Sequence, residues 1–195
     1  MSAPCPPADL AARDPNIVKL AAGTVINRFY TAGMAPIYFD PSRNGRLNSP
    51  DGGYGVLYAA ASDRGAFAET FLRSPGRRQI DPGLLARKAF VRLRLTRAIA
   101  LVDLHGPGLA ILGATAEIVH GGLPYDIPQA WSNAIHAHPI GADGIAYSAR
   151  HDDAEICHAI FDRAAAKLDE ADRVTDLDAD WFWRIADIYE MGRPA

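Results

Sequence analysis

The sequence predicts a single α+β domain, and three observations carry that reading. The chain has 195 residues, 49% of them apolar and 22% charged, the size and composition of one globular domain with a proper core. Short β-branched and aromatic runs mix with segments of helical periodicity, without the strict β-α-β rhythm of a doubly wound parallel sheet. No segment recurs at a fixed period, which sets aside solenoids and propellers.

Residues 1–16 hold four prolines, Pro4, Pro6, Pro7 and Pro15. Proline fixes φ and removes a donor, so this stretch is expected to be a flexible N-terminal arm with little regular structure. From Gly23 to Tyr30 the run Thr-Val-Ile-Asn-Arg-Phe-Tyr favours a strand that carries Arg28. Residues 31–53 are crowded with Gly, Pro, Asn, Asp and Ser, including Asn44-Gly45 and Asp51-Gly52-Gly53; they form a long loop of the kind that is usually functional. Tyr54 to Ala60 is a short apolar run and reads as a buried strand, and Ser62 then caps a helix from Asp63 to about Arg73.

Lys88 to Leu95 alternates and Ala98 to Leu104 is apolar, so both are expected to be strands. Asp126 is placed as the cap of a helix carrying Ala130, Trp131, Ala134 and Ile135, with Pro139 at its end. Asp143 to Ser148 and Ile156 to Phe161 complete the strands. The last helix, about Asp178 to Glu190, aligns Trp181, Ile185 and Ile188, with Gly192 and Pro194 as stop signals.

Charge and motif content exclude several classes of function. Twenty Lys and Arg against 23 Asp and Glu leave a net charge of −3, which provides no field for non-specific capture of nucleic acid or an acidic membrane. Two cysteines, Cys5 and Cys157, make no disulfide framework. Met1 to Pro7 lacks the pattern of a secretory signal, and no apolar stretch reaches the ~18 residues of a membrane span; a cytoplasmic protein is expected. His136 and His138 lie two apart on a predicted helix and cannot share a face, so no metal site is assigned. Neither the Gly-x-Ser-x-Gly elbow, nor a Gly-rich phosphate loop ending in Lys-Ser/Thr, nor a Gly-x-Gly-x-x-Gly fingerprint is present. Arg73, Arg77 and Arg78 could touch phosphate, but set among Ser74, Pro75 and Gly76 they read as solvated loop charge.

What remains is a constellation in fixed order: Arg28-Phe29-Tyr30 on an early strand, Gly45-Arg46-Leu47-Asn48 in the loop, Leu57-Tyr58 on the next strand, Glu69 on the following helix, and Asp143-Gly144-Ile145-Ala146-Tyr147-Ser148. In order and spacing it resembles the RES-domain family, named for its Arg, Glu and Ser, over roughly Gly23 to Phe161. The most specific segment is Leu57-Tyr58 followed by Glu69, eleven residues after the tyrosine. Leu47 stands where the family motif has an aromatic, so a stacking role falls to Tyr30 or Tyr38.

That resemblance implies a domain similar to the ADP-ribosyltransferase fold, with central β-sheets flanked by helices, as a catalytic unit over residues 17–195. It also implies NAD⁺ as substrate rather than cofactor. Two activities follow: cleavage of the nicotinamide–ribose bond, by hydrolysis or with inorganic phosphate as co-substrate, and transfer of ADP-ribose to a protein. A toxin of this family is further expected to be held by a cognate antitoxin protein. A non-enzymatic binding domain on the same scaffold is a separate reading, favoured only by Leu47.

The residue types suit the chemistry. Breaking the nicotinamide–ribose bond builds positive charge on the sugar, which a carboxylate stabilises, and Glu69 is the candidate. Arg28, with a catalytic as well as a binding part, and Arg46 suit the diphosphate through paired charge-assisted hydrogen bonds. Tyr58, and after it Tyr30, would stack on nicotinamide; Asn48 and Ser148 would contact or position substrate. Glu69 and Arg73, four apart on a helix, could instead form a plain surface ion pair.

Overall fold

A computed structural model describes residues 3–193; Pro194 and the first two residues of the Met1–Pro7 segment lie outside the described residues. The elements in order are β1 (Ile17–Leu20), β2 (Val25–Thr31), β3 (Val56–Ala60), α1 (Asp63–Phe71), α2 (Pro82–Ala86), β4 (Lys88–Leu95), β5 (Ile99–Asp103), α3 (Pro107–Leu112), α4 (Glu117–His120), α5 (Asp126–His136), β6 (Gly144–Ala149), β7 (Asp152–Phe161), β8 (Leu168–Val174) and α6 (Asp180–Ile188). All eight strands join one sheet in the order β1-β5-β6-β7-β3-β2-β4-β8. β5 and β6 pair in parallel and every other neighbour is antiparallel. This is the expected α+β domain.

Strand alternation divides the interior in two. Val56 and Ala60 on β3, Phe29 on β2 and Phe161 on β7 enter a cluster covered by helices through Phe67, Phe71, Trp131, Phe182 and Ile185. Their sequence neighbours Leu57, Tyr30 and Ile160 enter a second cluster to which α1–α6 contribute nothing, as a pleat of period two requires. Ser62 caps α1, its Oγ accepting from the Gly65 N–H at 2.9 Å. α1 lays Ala66, Phe67 and Phe71 on the sheet, where Phe71 and Phe29 meet edge to face at 5.1 Å.

Several boundaries differ from expectation. α1 ends at Phe71. Tyr125, not Asp126, is the residue before α5, and no side chain caps that helix. β7 starts at Asp152 because hairpin pairing with β6 extends it past the apolar run. On α6 the buried residues are Phe182, Trp183, Ile185 and Ala186, whereas Ile188 is 59% exposed; Phe182 turns the helix inward by packing against Phe67 and Phe71. The N-terminal segment carries one short 3-10 turn, Leu10–Ala12. It is tied to the body by the Trp131 indole N–H on the Pro4 carbonyl at 2.7 Å and by His138 Nε2 on the carbonyls of Leu10 and Arg13.

β2 and β3 are neighbours through one residue pair only, Asn27 opposite Ala60. β2 is otherwise paired along its length with β4, and β3 with β7. The Asn27 side chain closes the junction by donating to the Ala61 carbonyl at 3.1 Å. Beyond that point the two strands part, and the sheet opens into a cleft.

Candidate active site

The cleft is a cavity of about 750 Å³ walled by β2, β3, the 34–47 loop, α1 and the segment 70–88, within the usual size range of small-molecule sites. Arg28 stands in the opening. Its Nη1 donates to the Tyr58 carbonyl at 3.1 Å, a backbone acceptor that the parted strands leave free. Its buried Nε has no partner among the described residues. Burial pushes this guanidinium down to about 10, while the nearby Asp40 carboxylate acts in the opposite direction; at neutral pH it stays charged and short of acceptors.

The loop behind Arg28 is fastened by side chains. Asp40 bridges to Val56 through the backbone in both directions, and its carboxylate accepts from the Ser42 N–H and hydroxyl. The Asn48 amide donates to the Ser42 carbonyl at 2.7 Å and to Asp40, and its Oδ1 accepts from the Tyr58 hydroxyl at 2.9 Å. The same hydroxyl accepts the Leu47 N–H at 2.8 Å, and its burial raises the Tyr58 phenol above its ordinary range. From α5, Gln129 donates to the carbonyls of Arg43 and Gly45, and Ser132 to that of Leu47. Gly45 is required here: a Cβ would lie 2.6 Å from Asn48 Cγ and 2.8 Å from the Tyr58 hydroxyl. Held this way, Arg46 reaches the cavity with its Nε on the Gly121 carbonyl at 3.0 Å and its guanidinium 5.5 Å from the Tyr125 ring centre.

Glu69 enters from α1. Its Oε1 accepts the Arg150 backbone N–H at 2.9 Å, from the β6–β7 turn. The alternative of a Glu69–Arg73 ion pair is not realised: Arg73 Nε donates to the Glu69 main-chain carbonyl at 2.7 Å. The carboxylate is left facing the cavity beside Tyr147. The buried Tyr147 phenol lies well above its ordinary range, first through burial and then through the charge of Glu69.

Arg28, Arg46, Tyr58 and Glu69 therefore converge on one cavity. Tyr30 also contributes to its wall, but only 4% of its surface is exposed and its ring belongs to the second apolar cluster. Asn48 and Ser148 do not line it. Asn48 is fully buried, its amide taken up by the loop. Ser148 lies one residue beyond Tyr147, so the pleat turns it to the opposite face, and its carbonyl meets His120 Nε2. Leu47 packs into the core at 1% exposure. Arg150, His151, Arg87 and Lys88 line the cavity without having been marked in the sequence; Tyr147, present in the Asp143–Ser148 motif but given no role, lines it too, as do Arg73 and Arg77, read there as solvated charge. Altogether seven Arg and Lys residues line it against three carboxylates, in a chain whose net charge is −3.

Among the described residues no cluster of three or more His, Cys, Asp or Glu side chains could hold a metal ion, and no helix is long and apolar enough to cross a membrane.

Fold and cleft together define a single α+β domain whose sheet opens into a cation-lined cavity, and a solved structure shares that fold. It is a chain of the M. tuberculosis MbcT–MbcA toxin–antitoxin complex, with a TM-score of 0.68 and 15% sequence identity, covering 87% of this chain and 92% of that one. The family model described as RES domain matches residues 25–182, and the chain belongs to the RES domain family. No curated protein matches the sequence significantly.

Proposed function

We propose that this protein is the toxin of a toxin–antitoxin pair and that it cleaves the nicotinamide–ribose bond of NAD⁺, depleting the nucleotide by phosphorolysis or hydrolysis. The observation that carries the reading is the pairing, across one cation-lined cleft, of a carboxylate facing the cavity, Glu69, with a half-buried guanidinium whose buried Nε has no partner among the described residues, Arg28. In the reaction the glycosidic bond breaks heterolytically, its electron pair leaves with neutral nicotinamide, and the positive charge passes to the ribose. Glu69, oriented by the Arg150 N–H, stabilises that charge in a site partly closed to water. Arg28 and Arg46 hold the two charges of the diphosphate, their planar donors matched to phosphate oxygens. Phosphate or water then attacks the sugar carbon. The kinship with a chain from a toxin–antitoxin complex supports an antitoxin as protein partner.

The test is product analysis by mass spectrometry after incubation with NAD⁺, with and without inorganic phosphate, for the wild type and Glu69→Gln. ADP-ribose 1″-phosphate formed only with phosphate, or free ADP-ribose in both, with loss of either product in the variant, is the expected outcome. Intact NAD⁺ in every tube, together with no NAD⁺ binding by calorimetry, would overturn the proposal. A mass increment of one ADP-ribose on an added protein would replace cleavage by mono-ADP-ribosylation.

A further inference from the structure

The cavity holds more positive charge than a dinucleotide diphosphate calls for. Arg28 and Arg46 answer its two charges, yet Arg73, Arg87 and Lys88 line the same cavity from another wall, the end of α1 and the α2–β4 junction. The β2–β4 register sets Lys88 opposite Thr31, whose hydroxyl is 3.4 Å from Nζ, and the Arg87 carbonyl accepts the Ala32 N–H. Among the described residues none of the three cations has a carboxylate within ion-pair distance, although ion pairs form at Arg64, Arg77, Arg78, Arg92, Lys167 and Arg173. Lys88, half-buried, is pushed below its ordinary range by burial and then by the charges of Arg73, Arg28 and Arg87. Seven cations against three carboxylates leave an excess of like charge in one concavity, and a bound anion relieves that repulsion.

We propose that Arg73, Arg87 and Lys88 form a second anion subsite of the cleft, distinct from the diphosphate position, that takes a phosphate dianion. Three cations suit one dianionic group, and that group has two sources: free inorganic phosphate, or a phosphate monoester carried by the nucleotide, as in NADP⁺. The location of the subsite beside the substrate rests on the NAD⁺ reading given above; the anion binding itself does not.

The experiment uses the full chain, Lys88→Gln and the Arg73→Gln/Arg87→Gln pair, with Arg92→Gln as a control outside the cavity. Calorimetric titrations use inorganic phosphate alone, NAD⁺ and NADP⁺, and circular dichroism confirms folding. The expected result is that phosphate binds the wild type and the control alike, about tenfold more weakly to Lys88→Gln, the loss of one charge-assisted hydrogen bond, and about a hundredfold more weakly to the Arg73→Gln/Arg87→Gln pair, the loss of two. A selective loss of NADP⁺ affinity relative to NAD⁺ assigns the subsite to the monoester; equal nucleotide affinities with weakened phosphate binding assign it to free phosphate. Failure of NAD⁺ to bind while phosphate binding depends on these residues would remove the NAD⁺ reading and leave the subsite standing. Phosphate and NADP⁺ affinities unchanged in both folded variants, or no binding of either to the wild type, would overturn the proposal.

Discussion

Tyr58→Phe separates two roles that the residue type alone leaves merged. The substitution keeps the ring, hence any stacking on substrate, and removes only the hydroxyl. That hydroxyl accepts the Leu47 N–H at 2.8 Å and donates to Asn48 Oδ1 at 2.9 Å, and Leu47 and Asn48 are 1% and 0% exposed. Without it a buried N–H and a buried amide oxygen lose their partners, at about 1 to 2 kcal/mol each, so a total of roughly 3 kcal/mol is expected. For a domain of this length that is a fall in Tm of about 6 to 12 °C. Because the loosened segment carries Arg46, the KM for NAD⁺ should rise more than kcat falls. Gly45→Ala should have a similar effect, since its Cβ would collide with the same two side chains. Thermal unfolding by circular dichroism and steady-state kinetics give both readouts. A Tm within 1 °C of the wild type together with an unchanged KM would refute the view that Tyr58 acts by fastening the loop.

Three further outcomes follow from the geometry. Glu69→Gln retains an oxygen for the Arg150 N–H, so Tm should move little, while NAD⁺ cleavage should fall by about 10² or more, the scale for losing one preorganised charge-stabilising group; equal loss of stability and activity would mean a structural glutamate. Arg28→Lys substitutes a point charge for a planar fork anchored to the Tyr58 carbonyl, and isothermal titration should show NAD⁺ affinity reduced roughly tenfold; undiminished affinity would remove Arg28 from the diphosphate. His158 is 1% exposed and its burial pushes it from the ordinary 6.5 down to about 4, so it stays neutral when folded. The unfolded chain then binds the extra proton, and stability is lost as pH falls from about 6.5 to about 4, by about 3 kcal/mol at the lower end. His158→Gln should flatten that part of the Tm profile, and an unaltered slope would exclude His158 as its source.

The central elements were legible because each carries a periodic apolar signal: β2 to β6, α1 and α5 lie within a few residues of their expected places. β8 was not, since Leu-Asp-Glu-Ala-Asp-Arg-Val is a charged, mostly exposed edge strand. α2, α3 and α4, at four to six residues, are too short for helical periodicity to register. In the site, motif order brought out Arg28, Arg46, Tyr58 and Glu69. It also selected Asn48, whose amide serves the loop, and Ser148, which one step of the pleat turns away. Lys88 and Arg87 reach the cavity only through pairing of β4 with β2, and Arg150 serves Glu69 with a backbone N–H, to which residue type gives no clue.

The single Asn27–Ala60 junction makes the sheet two blades, β1-β5-β6-β7-β3 and β2-β4-β8, riveted at one point. The gape between them is therefore not fixed by a hydrogen-bonded ladder. It is set from behind by the helical layer, where Phe71 of α1 and Phe182 of α6 wedge against Phe29 on β2 and Phe67 packs against both of them. Of this aromatic keystone only Phe29 and Phe71 line the cleft, but they share β2 with Arg28 and α1 with Glu69, so its bulk bears on how far apart those two elements stand. The width of the cleft thus depends on core volume as well as on the residues that line it.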